Sequence, residues 1–343
     1  MQLPPASSFP VPFSETWRSV DSTKLKEFMR CPRRFFYRYV LGWQLEAAQE
    51  SLHLVFGQAW HLAMEHMLKG LAEQGGYNAK LVIEAYELLR DCYYASFSPE
   101  QEEAFNSPKN PANALQALTD YAQRFAADHR DFKVLHTEIA GTVPVGDDRQ
   151  MVYKIDAIIQ DLVTNLVAVL EHKTSQQLTH NWSDQWILSP QVGTYCHALY
   201  CLKPSEQVYG ARVNGTFLRK KGNDFMRVPV RQTPEMMQRW LEMVNHYFDN
   251  IEFNFEQLCE ETPEKDIMQS FPMNTEACMD WGKTCPYHDF CVSWNNPLRR
   301  ANEELPGGFE VRHWDPLAEH AKTATIVEIP IEGEGERDES VSS

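Results

Sequence analysis

The stretch that decides the fold reads YKIDA at residues 153–157 and VLEHKT at residues 169–174. The apolar run LVAVL at 166–170 leads directly into the second segment and predicts a buried strand. Side chains alternate along a strand, so Glu171 and Lys173 point to the same face. Because burial makes uncompensated charges expensive, a buried strand that carries both charges indicates a functional site rather than simple packing.

Asp156 joins these charges through a hairpin. The polar turn at 161–165 folds the strand that carries Asp156 alongside the strand that carries Glu171. Two carboxylates beside Lys173 can hold a hard divalent cation and position a water molecule, which is the chemistry of phosphodiester cleavage. A surface hairpin with an incidental ion pair is the alternative, and these residues alone leave it open.

The composition limits the class of protein. The chain has 343 residues, of which 43% are hydrophobic, enough for a full core in one or two domains. No apolar run approaches the length of a membrane span, and the N-terminus lacks the basic start and apolar stretch of a signal peptide. We therefore expect a cytoplasmic protein without a membrane partner, whose eight cysteines are free thiols or metal ligands rather than disulfides.

The net charge of −16 is unevenly distributed. Residues 301–343 hold eleven acids and three Lys or Arg residues, so half of the net charge lies there. Two segments have the opposite sign: residues 24–38 contain six Lys or Arg residues against Glu27 alone, and residues 210–231 contain six against Asp224 alone. We expect these two basic segments to form a track that binds phosphates.

The hydrophobic periodicity predicts an α/β fold. Helices are predicted at about 22–31, 54–69, 80–95, 112–129, 184–201 and 233–253. Strands are predicted at 132–143, 150–159, 165–174, 207–218 and 224–230. The pattern indicates a central β-sheet flanked by helices, with residues from about 71 to 130 as a helical insertion.

Several further polar residues have both a functional and an ordinary interpretation. His61 lies on a predicted helix with an apolar face, where a histidine is more often a satisfied core or surface residue. Gln191 and Tyr195 are four residues apart and share a helix face, as in any amphipathic helix. Glu138 is either an accessory acid or a strand-face carboxylate. Residues 33–39, RRFFYRY, suit either a single-strand binding surface or a core helix with a solvated basic face.

The order of these residues resembles the RecB-like branch of the PD-(D/E)XK nuclease superfamily. Between about residues 20 and 295, a Gly-x-x-x-His motif ending at His61 is followed by Asp156. Glu-x-Lys at 171–173 and Gln-x-x-x-Tyr at 191–195 then follow in the family's order. The resemblance implies a restriction-endonuclease-like fold with a central mixed β-sheet.

The resemblance also implies a role for each residue. It implies that Mg²⁺ or Mn²⁺ is held by His61, Asp156, Glu171 and the backbone carbonyl of His172. Lys173 would orient or help deprotonate the attacking water, while Gln191 and Tyr195 would support Lys173 and contact the DNA backbone. Hard oxygen ligands suit both ions, and one imidazole favours Mn²⁺.

Four cysteines form a second pattern: Cys31, followed by Cys278, Cys285 and Cys291 at the spacing C-x6-C-x5-C. Four thiolates suit either zinc or an iron–sulfur cluster, and their spacing does not decide between the two. The pattern is similar to the iron–sulfur subgroup of RecB-like nucleases, which includes AddB-type and CRISPR-associated adaptation nucleases. This resemblance implies a structural [4Fe–4S] cluster that staples residues 20–40 to residues 270–295, with Cys278 departing most from the subgroup's spacing.

Together these expectations describe a metal-dependent exonuclease that acts on single-stranded DNA ends in recombination, repair or phage DNA processing. Residues 1–300 would form the nuclease domain, and residues 301–343 would form an acidic, flexible tail. A helicase or a recombination protein fits as a partner. The alternative is a non-catalytic DNA-binding subunit of a helicase–nuclease assembly, against which the intact set of motifs argues.

Overall fold

The computed structural model describes residues 1–46, 51–146, 148–280, 283–301 and 305–327. The part of the predicted acidic tail beyond residue 327 lies outside these ranges. Among the described helices, none combines the length and the apolar character that crossing a membrane requires.

The helices of the described chain are α1 (Ser22–Arg30), α2 (Pro32–Phe35), α3 (Leu52–Gln74), α4 (Ala79–Ser96), α5 (Pro99–Phe105), α6 (Pro111–Arg124), α7 (Asp128–Asp131), α8 (Pro190–Leu202), α9 (Pro234–Cys259), α10 (His288–Ser293), α11 (Leu298–Ala301) and α12 (Pro316–His320). Asp21 starts α1 because its Oδ1 accepts hydrogen bonds from the backbone N of Thr23 and Lys24, at 3.0 and 2.8 Å. Gly75 ends α3 in the left-handed conformation, with φ of 70°.

The strands are β1 (Val20–Asp21), β2 (Trp43–Leu45), β3 (Phe132–Gly146), β4 (Arg149–Asp161), β5 (Val167–Ser175), β6 (Val208–Phe217), β7 (Asp224–Arg231), β8 (Met279–Asp280), β9 (Lys283–Thr284), β10 (Phe309–Val311) and β11 (Thr325–Ile326). Seven of them form one mixed sheet in the order β11-β3-β4-β5-β6-β7, with β1 beside β4. The pairs β3–β4, β4–β5 and β6–β7 are antiparallel, whereas β5–β6 is parallel and connected through α8.

The strands β4 and β5 separate part of the way along their length. Their last pair joins Ala157 to Leu170, and beyond it β1 takes the neighbouring position along β4. Asp156 and Glu171 come directly after that last pair. The fork between the two strands therefore holds the two carboxylates that the sequence singled out.

Helices flank the sheet and build separate hydrophobic clusters. α8 and α9 belong to the largest cluster, which contains Leu199 and Trp240. α3 packs on the sheet through Leu68 and Leu71. The other side of α3 joins α4 and α6 in a third cluster around Trp60. The mixed α/β architecture expected from the sequence is confirmed, while the domain boundaries remain a prediction.

The two ends of the described chain meet beside α2. The hydroxyl of Tyr287 donates to the backbone carbonyl of Trp43 at 2.6 Å, and β10 pairs with β2. The rings of Tyr37 and Tyr287 stack with centroids 5.2 Å apart. Aromatic packing thus holds the cysteine-containing segment against the N-terminal helices.

Within the expected acidic tail, residues 305–327 contain regular secondary structure. They contain β10, α12 and β11, and β11 pairs in parallel with β3. The hydroxyl of Tyr153 donates to the backbone carbonyl of Val327 at 3.0 Å. These contacts join segments far apart in the chain, so no local periodicity could indicate them.

Candidate active site

Asp156 is held from two sides at the fork between β4 and β5, where it is almost fully buried. Its Oδ2 accepts a hydrogen bond from the backbone N of His172 at 2.7 Å. Its Oδ1 lies 3.0 Å from Nδ1 of His61, which α3 carries across the sheet. A strand backbone and a helix side chain therefore fix the position of this carboxylate.

Glu138 reaches the same point from β3, between Thr137 and Ile139, which pair with Ala157 and Ile155 on either side of Asp156. Its φ of 46° falls in the left-handed region, which residues other than glycine rarely adopt. One ligand atom each of His61, Glu138 and Asp156 lie within 4.8 Å of one another, the one such group among the described residues. Two carboxylates and an imidazole suit Mg²⁺ or Mn²⁺.

A chain of polar contacts adjoins this group. Nζ of Lys173 lies 2.5 Å from Oε1 of Glu171 and donates to Oε1 of Gln191 at 3.0 Å. Nε2 of Gln191 donates in turn to the hydroxyl of Tyr195 at 2.8 Å, one helical turn along α8. The ammonium group is thus held between a strand and a helix, and it faces the carboxylates.

Electrostatics distinguish the three carboxylates. Burial alone would raise the pKa of Asp156, but the His61 ring holds that pKa below its usual value. Burial, and then the Asp156 charge, raise the pKa of Glu171 to about 7, although Lys173 opposes the shift. Burial and Asp156 also raise the pKa of Glu138. A bound cation would relieve this repulsion and keep the three carboxylates ionised.

These side chains line a cavity of about 430 Å³. One wall is the first turn of α1, and another is the C-terminal segment with Trp314 and His320. Nζ of Lys154 connects that segment to the site, because it lies 2.8 Å from Oε2 of Glu138 and donates to Oγ1 of Thr323 at 3.0 Å. No motif in the sequence indicated that the C-terminal segment forms a wall of the cavity. The sequence also left open whether Glu138 is an accessory acid or an ordinary strand-face residue.

The side chain of His172 lies away from this cavity. Its ring is buried near Tyr121, with centroids 6.3 Å apart, and neither ring nitrogen has a hydrogen-bond partner among the described residues. Burial lowers the pKa of His172 to about 3, so the ring is neutral. His172 reaches the site through its backbone N, while its expected role through the backbone carbonyl remains a prediction.

The cysteines named from the sequence lie at the junction of the two chain ends. The backbone N of Asn274 contacts Sγ of Cys31 at 3.4 Å, and the backbone N of Cys285 donates to the carbonyl of Cys278 at 2.9 Å. Burial, and to a smaller extent Cys31, raise the pKa values of Cys285 and Cys291. In the described chain, no three of these thiols are close enough to share a single ion.

Several cations of the two basic segments already have partners within the protein, and the expected phosphate track stays a prediction for the others. In the first, Arg33 is buried and donates to the backbone carbonyls of Phe271 and Met268, at 2.8 and 3.1 Å. The aromatic residues around it pack in the core, so the single-strand binding interpretation of residues 33–39 is wrong for these side chains. In the second, ion pairs join Arg212 to Asp161, Arg219 to Asp224 and Arg227 to Asp128. Arg212 and Arg227 thus pair with acids from distant segments, whereas Arg219 pairs with Asp224 of its own segment.

Comparisons with known proteins identify the family to which the chain belongs. The family model of the PD-(D/E)XK nuclease superfamily matches residues 21–292. No curated protein matches the chain. The crystal structure of SSO0001 is similar over 58% of this chain and 79% of that chain, with 12% sequence identity and a TM-score of 0.24. A likeness at that TM-score carries no argument, so the family assignment rests on the sequence match.

Proposed function

Because the chain belongs to the PD-(D/E)XK nuclease superfamily, we propose that it is a divalent-metal-dependent exonuclease acting on single-stranded DNA ends. One observation carries this proposal. The three-ligand group of His61, Glu138 and Asp156 adjoins the Glu171–Lys173 pair in a single cavity. A cation site and a half-buried amine side by side suit hydrolysis of a phosphodiester.

Mg²⁺ or Mn²⁺ would be held by His61, Asp156 and Glu171, with Glu138 as a further oxygen donor. The donor set fits, because these carboxylates repel one another until a cation joins them. The ion would supply Lewis-acid polarisation of the phosphate. The backbone carbonyl of His172, which follows Glu171 directly, is the remaining ligand in the proposal.

The side chains of β5 and α8 would do the rest of the chemistry. Lys173 would orient the attacking water and stabilise charge that develops on the phosphate. Glu171 holds Lys173 from the strand, and Gln191 holds it from the helix. Tyr195 fixes the amide of Gln191, so both are positioning residues for the ammonium and candidate contacts to the DNA backbone.

We also propose a structural [4Fe–4S] cluster at Cys31, Cys278, Cys285 and Cys291. Cys31, Cys278 and Cys285 all influence the pKa of Cys291, and four thiolates in one region suit such a cluster or a zinc ion. Iron and acid-labile sulfide in the purified protein would support the cluster. Stoichiometric zinc in a colourless protein would contradict it.

We also propose the domain boundaries, the biological process and the partner. The nuclease unit would span residues 1–300 and take β11 and one cavity wall from residues 305–327. A helical insertion at about 71–130 is supported by the separate cluster around Trp60. Recombination, repair or phage DNA processing would supply single-stranded ends, with a helicase or recombination protein as partner.

A digest of end-labelled DNA tests the proposed activity. Single-stranded and double-stranded substrates of one sequence are incubated with Mg²⁺, Mn²⁺ or EDTA. We expect release of nucleotides from single-stranded ends with either metal and none with EDTA. Internal cuts in a circular single strand would contradict the exonuclease assignment, and DNA binding without cleavage under all conditions would favour a non-catalytic subunit.

A further inference from the structure

A second cavity opens at the C-terminal end of β5, beyond the candidate active site. It measures about 380 Å³ and is lined by His53, Lys109, Thr174, Ser175, Gln176 and Gln177. None of these residues is acidic, whereas carboxylates line the active-site cavity. In a chain with a net charge of −16, a polar cavity with a lysine and no acid in its wall is unexpected.

Lys109 is the central feature of this cavity, with only 4% of its surface exposed. Its Nζ donates to the backbone carbonyl and Oγ1 of Thr174, at 3.2 and 3.0 Å, and lies 5.8 Å from the ring centroid of Phe56. No carboxylate of the described chain forms an ion pair with it. A buried cation is normally paired, because leaving its charge uncompensated costs free energy. Lys109 therefore has capacity for an anion.

The surroundings keep Lys109 in place and add positive potential. Oγ of Ser107 accepts from the backbone N of Lys109 at 3.1 Å and from Nε2 of Gln176 at 2.9 Å, which braces the loop against the end of β5. Burial, then Lys109 and Lys283, lower the pKa of His53. Lys109 and Lys283 thus both contribute positive potential at His53 in the cavity wall.

The cavity lies along the same elements as the candidate active site. Thr174 directly follows Lys173 on β5, and its side chain points to the opposite face of the strand, the face on which α3 packs. His53 and His61 are eight residues apart on α3, which corresponds to about 12 Å along a helix. A nucleic-acid strand whose scissile phosphate lies at His61 could therefore reach this cavity within a few nucleotides.

We propose that the Lys109 cavity binds a backbone phosphate of the substrate strand, a few nucleotides from the bond that is cleaved. The inference rests on the proposed nuclease function and adds a subsite to it. Lys109 neutralises the phosphate, while the side-chain amide of Gln177 in the cavity wall offers hydrogen-bond donors. Because phosphates are identical along a strand, the subsite positions the substrate without selecting its sequence.

Binding measured without divalent metal tests the subsite separately from catalysis. The affinity of a fluorescent single-stranded oligodeoxynucleotide is measured in EDTA at several salt concentrations for wild type, Lys109→Gln and His53→Glu. Removing one phosphate contact on a single strand should reduce the slope of log K against log salt by about 0.7. We expect that reduction and a several-fold weaker binding for Lys109→Gln, and a loss of affinity for His53→Glu.

Two controls accompany these variants. Leu54→Glu adds the same charge as His53→Glu at the next position of α3, on a side chain that is 74% exposed and does not line the cavity. Lys80→Gln removes one charge on α4, where the lysine is 84% exposed. Both should bind like wild type, which separates an effect of the cavity from an effect of net charge.

The outcomes decide between the inference and the proposed function. A wild type that cleaves DNA, with unchanged affinity and salt slope in both cavity variants, overturns the subsite alone. If Lys109→Gln loses stability, the DNA affinity of His53→Glu tests the subsite instead. An affinity of His53→Glu equal to that of Leu54→Glu overturns the subsite. A wild type that neither binds nor cleaves DNA overturns the proposed function together with the subsite.

Discussion

The contact between Gln191 and Lys173 yields the most detailed prediction. Gln191→Ala removes the acceptor that lies 3.0 Å from Nζ of Lys173 and also removes the donor to Tyr195. A hydrogen bond to a charged group contributes about 1.5–3 kcal/mol. If that contribution orients the ammonium in the transition state, kcat falls by about tenfold to about 150-fold.

Tyr195→Phe provides the matched comparison, because it removes only the hydroxyl that accepts from Gln191 at 2.8 Å. A neutral hydrogen bond contributes about 0.5–1.5 kcal/mol, so kcat should fall by about twofold to about tenfold. Steady-state cleavage of a single-stranded oligonucleotide at saturating Mn²⁺ measures kcat and KM for both variants, and thermal unfolding checks that both are folded.

The predicted order is a large loss for Gln191→Ala and a small one for Tyr195→Phe, with KM little changed in either. A change in KM alone would mean that these residues bind substrate rather than position Lys173. A loss in Tyr195→Phe as large as that in Gln191→Ala would refute the reasoning, since the tyrosine acts on Lys173 only through the amide.

Three further predictions concern stability and the cluster. Arg227→Met should destabilise the protein by about 3–5 kcal/mol in urea unfolding, because buried Asp128 loses hydrogen bonds of 2.7 and 3.0 Å; a loss below about 1 kcal/mol would contradict this. Cys31→Ala should remove bound iron and lower the melting temperature, and unchanged iron content would exclude its role as a ligand. Burial lowers the pKa of His320 in the folded protein to about 4, whereas the ordinary value is 6.5. Between pH 4 and pH 6.5, His320 therefore binds a proton in the unfolded chain but not in the folded protein. This group therefore makes stability rise from about pH 4 to pH 6.5, and His320→Gln should flatten that rise in urea unfolding at pH 4.5 and 7.

The strands around the site could be predicted because their signals are local. Alternation and turn residues place β4 and β5 within a few residues of their observed ends, and this registers Asp156 beside Glu171. Helix caps such as Asp21 are equally local. These features depend on neighbouring residues, which a sequence displays directly.

Other parts of the site depend on contacts between distant segments. The left-handed backbone at Glu138 is maintained by its surroundings, and nothing in its own residue type predicts it. The pairing of β11 with β3 involves two residues in each strand, too short for a periodic signal. The burial of Arg33 likewise follows from carbonyls near residue 270, so its basic character suggested a surface that it does not form.

We propose that Lys173 acts beside a metal site to cleave DNA. A comparison of wild type with Lys173→Ala on end-labelled single-stranded DNA in Mn²⁺, with binding measured in parallel in EDTA, tests this role. We expect the variant to stay folded, to bind DNA within about twofold of wild type and to lose cleavage by about a hundredfold or more. Mn²⁺-dependent cleavage at the wild-type rate by Lys173→Ala would contradict it.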